Sequence, residues 1–163
     1  MQIIPPDNTE LLAKLLSNEQ MLKYVDCAEA IQKQVGELPQ IDLPIFHHFA
    51  PNVYMRQMDA PAGAIVVSKM HRTEHMNILL KGSLTVVTEN GIEFLQAPLI
   101  IKSDAGTKRI GYFHEDSSWV TVHPTELTNI DEIEAQVIVP ESEIQEFLKA
   151  LPNKEKALCH GEQ

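Results

Sequence analysis

The stretch Lys69-Met70-His71-Arg72-Thr73-Glu74-His75, followed by Gly82, holds the residue types best suited to chemistry. A neutral imidazole can ligate a divalent ion or take up a proton near neutral pH. Histidines four apart, such as His71 and His75, can share a helix face, but this segment does not read as a helix. On one straight strand they would stand about 13 Å apart, too far to share an ion. They converge only if the chain turns between them, and Arg72-Thr73 is the place for that turn. His123, on a later strand facing the same interior, is the candidate third ligand. A site of His71, His75 and His123 would suit zinc, iron, manganese or nickel. The bland alternative is a set of histidines satisfied by hydrogen bonds inside a barrel.

Around this centre stand candidates for holding a charged molecule and moving a proton. Arg109, with Lys108 and Lys69, suits a carboxylate or phosphate, because a guanidinium presents a planar fork of donors. A surface strand with alternating charges would explain the same residues. His75, Glu74 and Tyr112 are the candidate proton carriers. Glu74 is the weaker of these as a site residue, since on a regular strand it points away from its neighbour His75. Tyr112 and Trp119 each offer an apolar body with one polar handle for a pocket mouth, and for Trp119 a core position is the plainer reading. His114, in a turn-like segment, reads as solvated, His47-His48 as locally packed and His160 as irrelevant.

Other chemistries lack their residues. No Gly-x-Ser-x-Gly elbow, phosphate loop or dinucleotide fingerprint appears, so no nucleotide cofactor is expected. Cys27 and Cys159 form no CxxC pair, which leaves two free thiols as the default. A net charge of −10 argues against nucleic acid as a partner. No apolar run approaches the length of a membrane span, and the opening MQIIPPDNTE lacks the pattern of a secretory signal. The expectation is a cytoplasmic protein away from membranes.

The elements that must position these residues follow from the hydrophobic period. The 163 residues, 44% of them hydrophobic, suit one globular domain. Residues 7–35 carry leucines and other apolar residues at helical spacing, broken near Ser17-Asn18 and ended by Gly36. Pro39, Pro44 and Pro51 mark an extended connection. From about 45 to 125, short β-branched runs alternate with turn residues: 64–69, 76–80, 84–88, 92–95, 99–102, 108–113 and 119–123. Asn90-Gly91 signals a hairpin. With no helices between the strands, the pattern indicates an all-β sandwich or barrel. Beyond Thr128 the chain is acidic and less clear; residues 141–151 read as a short helix stopped by Pro152, and 153–163 as a frayed end.

The spacing resembles the cupin family, whose first motif has the shape Gly-x5-His-x-His-x3–4-Glu-x6-Gly. Gly63, Lys69, His71, His75 and Gly82 fall on its positions, and Gly106 and Arg109 fall on the glycine and histidine of the second motif. Two of the four usual ligand positions therefore carry Lys69 and Arg109, and His75 stands where the family has glutamate. The strings HHFAP, KMHRTEH, GTKRIGY and WVTVHPTE are further similar to cupin-domain proteins of tailed phages. The resemblance implies a double-stranded β-helix, a jelly-roll barrel over 41–127. An N-terminal helical extension (1–40) and a C-terminal strand or helix with a frayed tail (128–163) flank it.

It also implies a pocket for a small polar or anionic ligand, with oxygenase, isomerase, epimerase or lyase chemistry on a divalent metal, or metal-free chemistry with His75 or His71 as base. Two readings of other classes stand beside it: a non-catalytic binder that sequesters an anionic metabolite or nucleotide signal, and a structural or accessory scaffold. A pocket plugged by its own side chains would favour the scaffold. A homodimer is expected, through the N-terminal helices and the outward face around Met76, Ile78 and Leu80.

Overall fold

The computed structural model describes residues 3–4, 24–88 and 91–151. The strands are β1 (Ile3–Ile4), β2 (Ile45–Ala50), β3 (Val53–Ala60), β4 (Ile65–Val67), β5 (His75–Lys81), β6 (Ser83–Thr88), β7 (Gly91–Gln96), β8 (Leu99–Ser103), β9 (Ile110–Phe113) and β10 (Ser117–His123). The helices are α1 (Tyr24–Gly36), α2 (Ile130–Val137) and α3 (Ile144–Ala150), the last entered through a 3-10 turn at Glu141–Glu143.

The strands form two antiparallel five-stranded sheets, ordered β1-β4-β9-β6-β7 and β2-β3-β10-β5-β8. Apart from the hairpins β2–β3 and β6–β7, consecutive strands alternate between the sheets in the manner of a jelly roll. This is the cupin-type architecture, an all-β core with short helices at its margins.

Period-two alternation puts one face of each strand between the sheets. Met58, Val66, Leu79, Leu84, Val86, Leu95 and Phe113 meet there and form the main core. A second core lies on the outer face of the first sheet, where Ala28, Ile31 and Val35 of α1 cover Ile65, Val67, Val87, Ile110 and Tyr112. That double cover explains why β4 is a continuous β-branched run, Ile65-Val66-Val67, buried at every position.

Gly36 is the last residue of α1, as its type suggests; the expected earlier helix and the break at Ser17-Asn18 lie outside the described residues. β6 and β7 pair as the hairpin expected, with Thr88 opposite Gly91; the connecting residues 89–90 lie outside the description. Three pieces of structure depart from the sequence reading. The proline-marked connection contains a full hairpin, β2–β3, turning at Pro51-Asn52 with Asn52 at φ 62°. The short strand β1 pairs with β4. The acidic stretch after Thr128 contains α2. The expected fraying of 153–163 also falls outside the described residues.

Candidate functional site

The end of the barrel nearest α2 holds a cavity of about 390 Å³, lined from both sheets and from the helix. His71, His75 and His123 converge on it, with ring centres 4.2 Å (His71–His75), 5.2 Å (His71–His123) and 5.2 Å (His75–His123) apart.

The turn required between the first two is present. His71 forms an isolated bridge with Ile138, the chain bends, and β5 begins at His75. Backbone bonds fix the His71 end: Arg72 N–H donates to Val137 O at 2.8 Å, Val139 N–H to Met70 O at 2.9 Å and Gly106 N–H to His71 O at 2.8 Å. Glycines at the motif positions occupy left-handed backbone, Gly63 at φ 83°, Gly82 at 87° and Gly106 at 78°. At Gly82 a Cβ would stand 2.0 Å from Ser117 Oγ, so no side chain fits between β5 and β6.

All three imidazoles are held neutral. Burial, helped by the neighbouring histidines and by Arg109 and Arg56, pushes His71 down to about 2. Burial first, then His75 and Arg56, lowers His123 to about 4. Burial also lowers His75, opposed by its bond to Thr73. His75 Nδ1 lies 3.0 Å from Thr73 O; since a carbonyl only accepts, Nδ1 carries the proton and Nε2 the lone pair. His123 Nδ1 is fully buried and, alone among the buried side-chain nitrogens and oxygens of the described residues, has no hydrogen-bond partner.

A metal at this place can be tested against these facts. Ligand bonds of about 2.0–2.1 Å put ring centres roughly 4.5–5 Å apart around a shared ion, near the observed 4.2–5.2 Å. Neutral imidazoles and an unpartnered buried nitrogen also suit a ligand set. Yet among the described residues no group of three His, Cys, Asp or Glu is arranged, as it stands, to hold an ion. The ring spacing, the neutral imidazoles and the unpartnered nitrogen suit an ion, while the present ring orientations do not hold one.

Strand parity sorts the remaining expected residues. Arg109 lines the cavity, as do Gly111 and Phe113 two and four positions on. Its Nη1 donates to Ser103 Oγ at 2.6 Å, and Asn77 Nδ2 donates to the same oxygen at 2.6 Å. Trp119 Nε1–H in turn donates to Asn77 Oδ1 at 3.2 Å, so Trp119 is a cavity residue tied into a buried polar chain. Lys108 and Tyr112 have the opposite parity and do not line the cavity. Lys108 Nζ reaches Gln32 Oε1 of α1 at 2.6 Å, and Tyr112 packs in the α1 core. Glu74 points outward and pairs with Lys102 at 3.3 Å. Lys69 stands at the rim, bonded to Glu134 of α2. His114 is exposed and bonds Thr85.

The sequence reading missed Tyr54, Arg56 and His47, which line the cavity from β2 and β3. His47 Nδ1 and Tyr54 Oη are 2.8 Å apart. The signal was available: Pro51-Asn52 between two runs is a turn pair like Asn90-Gly91, and parity then turns Tyr54, Arg56 and Met58 inward.

No protein-family model matches the chain, and no curated protein matches it. Solved structures similar to it include an acetylacetone dioxygenase from Acinetobacter johnsonii, at 19% identity and TM-score 0.41 over 50% of this chain and 58% of that one. Others are a putative ethanolamine utilization protein EutQ from Salmonella typhimurium (11% identity, TM-score 0.45, 53% of this chain and 72% of that one) and KdgF from Halomonas (15%, 0.44, 57% and 93%). This chain thus spans little more than half the dioxygenase's length. Others still are described as cupin-domain proteins; the similarity to phage proteins has no counterpart among them. No helix among the described residues is long and apolar enough to cross a membrane.

Proposed function

We propose that the cavity binds a small organic molecule and that His71, His75 and His123 form its chemical centre. The observation that carries this reading is the convergence of three neutral imidazoles inside an open cavity of about 390 Å³. That volume lies in the range of small-molecule sites. A barrel serving only as scaffold has no need to keep such a space unfilled.

In the metal form, His71, His75 and His123 hold a divalent ion, which supplies Lewis acidity toward a substrate oxygen. The chain's own residues then orient the substrate: Arg109, braced by Ser103, faces the cavity, and Thr73 O keeps the lone pair of His75 on Nε2. Elemental analysis of purified, tag-free protein tests this, alongside the His71→Ala/His75→Ala variant. Near-stoichiometric zinc, iron, manganese or nickel that the variant loses is the expected result. No metal, even after each ion is supplied, removes the metal form.

The metal-free form has its own support in the His75–Thr73 bond. A neutral His75 with a free Nε2 is a general base in the cavity. A non-catalytic binder, such as a phage protein that sequesters a host signal, would use the same cavity without turnover.

A further inference from the structure

We propose that the cavity is built for an organic anion with an apolar body, its acidic group held by Arg56. This rests on the ligand-binding reading above and names the class of molecule. Arg56 lies in the middle of β3, between Tyr54 and Met58, opposite His47 on β2 and Thr121 on β10, and it lines the cavity. Arg56 is half-buried, and that desolvation is the main influence on its pKa, which it lowers.

A cation partly withdrawn from water ordinarily stands beside a carboxylate. Among the described residues Arg56 forms no ion pair. The pairs present are Lys69–Glu134, Arg72–Glu143 and Lys102 with Glu74 and Asp104. Glu134, the carboxylate that also lines the cavity, is taken by Lys69. Tyr54, next to Arg56, is held neutral because burial raises its pKa, and so brings no counter-charge. The positive field of Arg56 reaches the cavity histidines, where it disfavours their protonation. A guanidinium facing an open cavity without a counter-ion is a site for a carboxylate or similar planar acid, which its fork meets with two parallel bonds.

The far wall sets the rest of the ligand. Val66, Leu84, Val86 and Phe113 line the same cavity from the opposite sheet. An inorganic anion would satisfy Arg56 and leave that wall in contact with water. An acid carrying a ring or short chain satisfies both ends.

The test uses the full chain with benzoate, its uncharged isostere benzamide, and inorganic phosphate, followed by saturation-transfer and chemical-shift NMR, which read weak binding. Benzoate is expected to bind at least tenfold tighter than either of the others. Arg56→Gln should bring benzoate down to the level of benzamide while leaving benzamide unchanged, and Arg56→Lys should restore part of the preference. The melting temperature of Arg56→Gln should hold or rise, since an uncompensated, half-buried charge is gone; a large fall would show a structural role and overturn the proposal. Equal binding of benzoate and benzamide by the unaltered protein also overturns it, though the ligand-binding reading survives. Phosphate binding as tightly as benzoate overturns the apolar-body part. A preference that persists in Arg56→Gln and disappears in Arg109→Gln moves the anion to the other arginine. Absence of binding by every probe sinks both this proposal and the ligand-binding reading.

Discussion

Ser103 Oγ accepts from Asn77 and from Arg109, so one hydroxyl joins the floor of the cavity to its charged wall. Ser103→Ala leaves both donors without that acceptor, and the loss should be about 1–3 kcal/mol. A urea midpoint unchanged from the parent would show that the chain of bonds contributes nothing. The histidines give a second expectation at this scale. In the unfolded chain each takes up a proton near 6.5, but folding delays uptake to about 2 at His71 and about 4 at His123. Below 6.5 the unfolded state therefore binds more protons, and stability falls as the medium is acidified toward 4. Above 6.5 the contribution of the two histidines is fully present. Urea midpoints across that range should show the slope, shallower in His71→Gln; a flat profile would contradict the burial of neutral imidazoles. His71 and His75 could be read from the chain because a motif spacing reaches them, and His123 because a later strand is expected to face the same interior. Charge beside Arg109 points to Lys108 and a polar handle to Tyr112, but neither signal carries parity, which sends both to α1.

At the scale of elements, α2 is the wall of the site that sequence patterning did not reveal. It has eight residues, only Ile133 and Val137 buried, too short for a clear helical period. Its start was nevertheless written locally: Asn129 Oδ1 accepts the Glu132 N–H at 3.1 Å. Asn129→Ala should cost about 1 kcal/mol, read from the denaturant midpoint, and faster hydrogen exchange should be confined to α2 and the His71 segment it meets. Exchange unchanged in both would separate the helix from the site. β2 and β3 were obscured by prolines, which disfavour a central strand but are at home in the turn that joins these two. Gly82 has the reverse character, legible in sequence and indispensable in structure. Gly82→Ala meets Ser117 Oγ at 2.0 Å in a left-handed backbone, so destabilisation well above 1 kcal/mol is expected.

For the whole molecule, the outward face of the second sheet is the open question of assembly. Met76 and Leu80 of β5 and Ile100 of β8 are 40%, 53% and 65% exposed, with Ile78 opposite Ile100 between them. A monomer seldom leaves such a contiguous patch in water. Light scattering at micromolar concentration is expected to give a two-fold dimer that Leu80→Lys/Ile100→Lys dissociates; a parent protein already monomeric would refute this. The alternation of strands with turns made the barrel legible from 64 to 123, but which sheet face meets another chain depends on what the outer surface lacks, and no period records that.

The bridge between His71 and Ile138 also fixes an order of events. A growing chain emerges from its N-terminal end, so every barrel strand is made before residue 138 can reach the segment carrying His71. The arrangement of imidazoles therefore waits for the segment around residue 138 to be made and to dock, and any reactivity of the three histidines stays withheld until then.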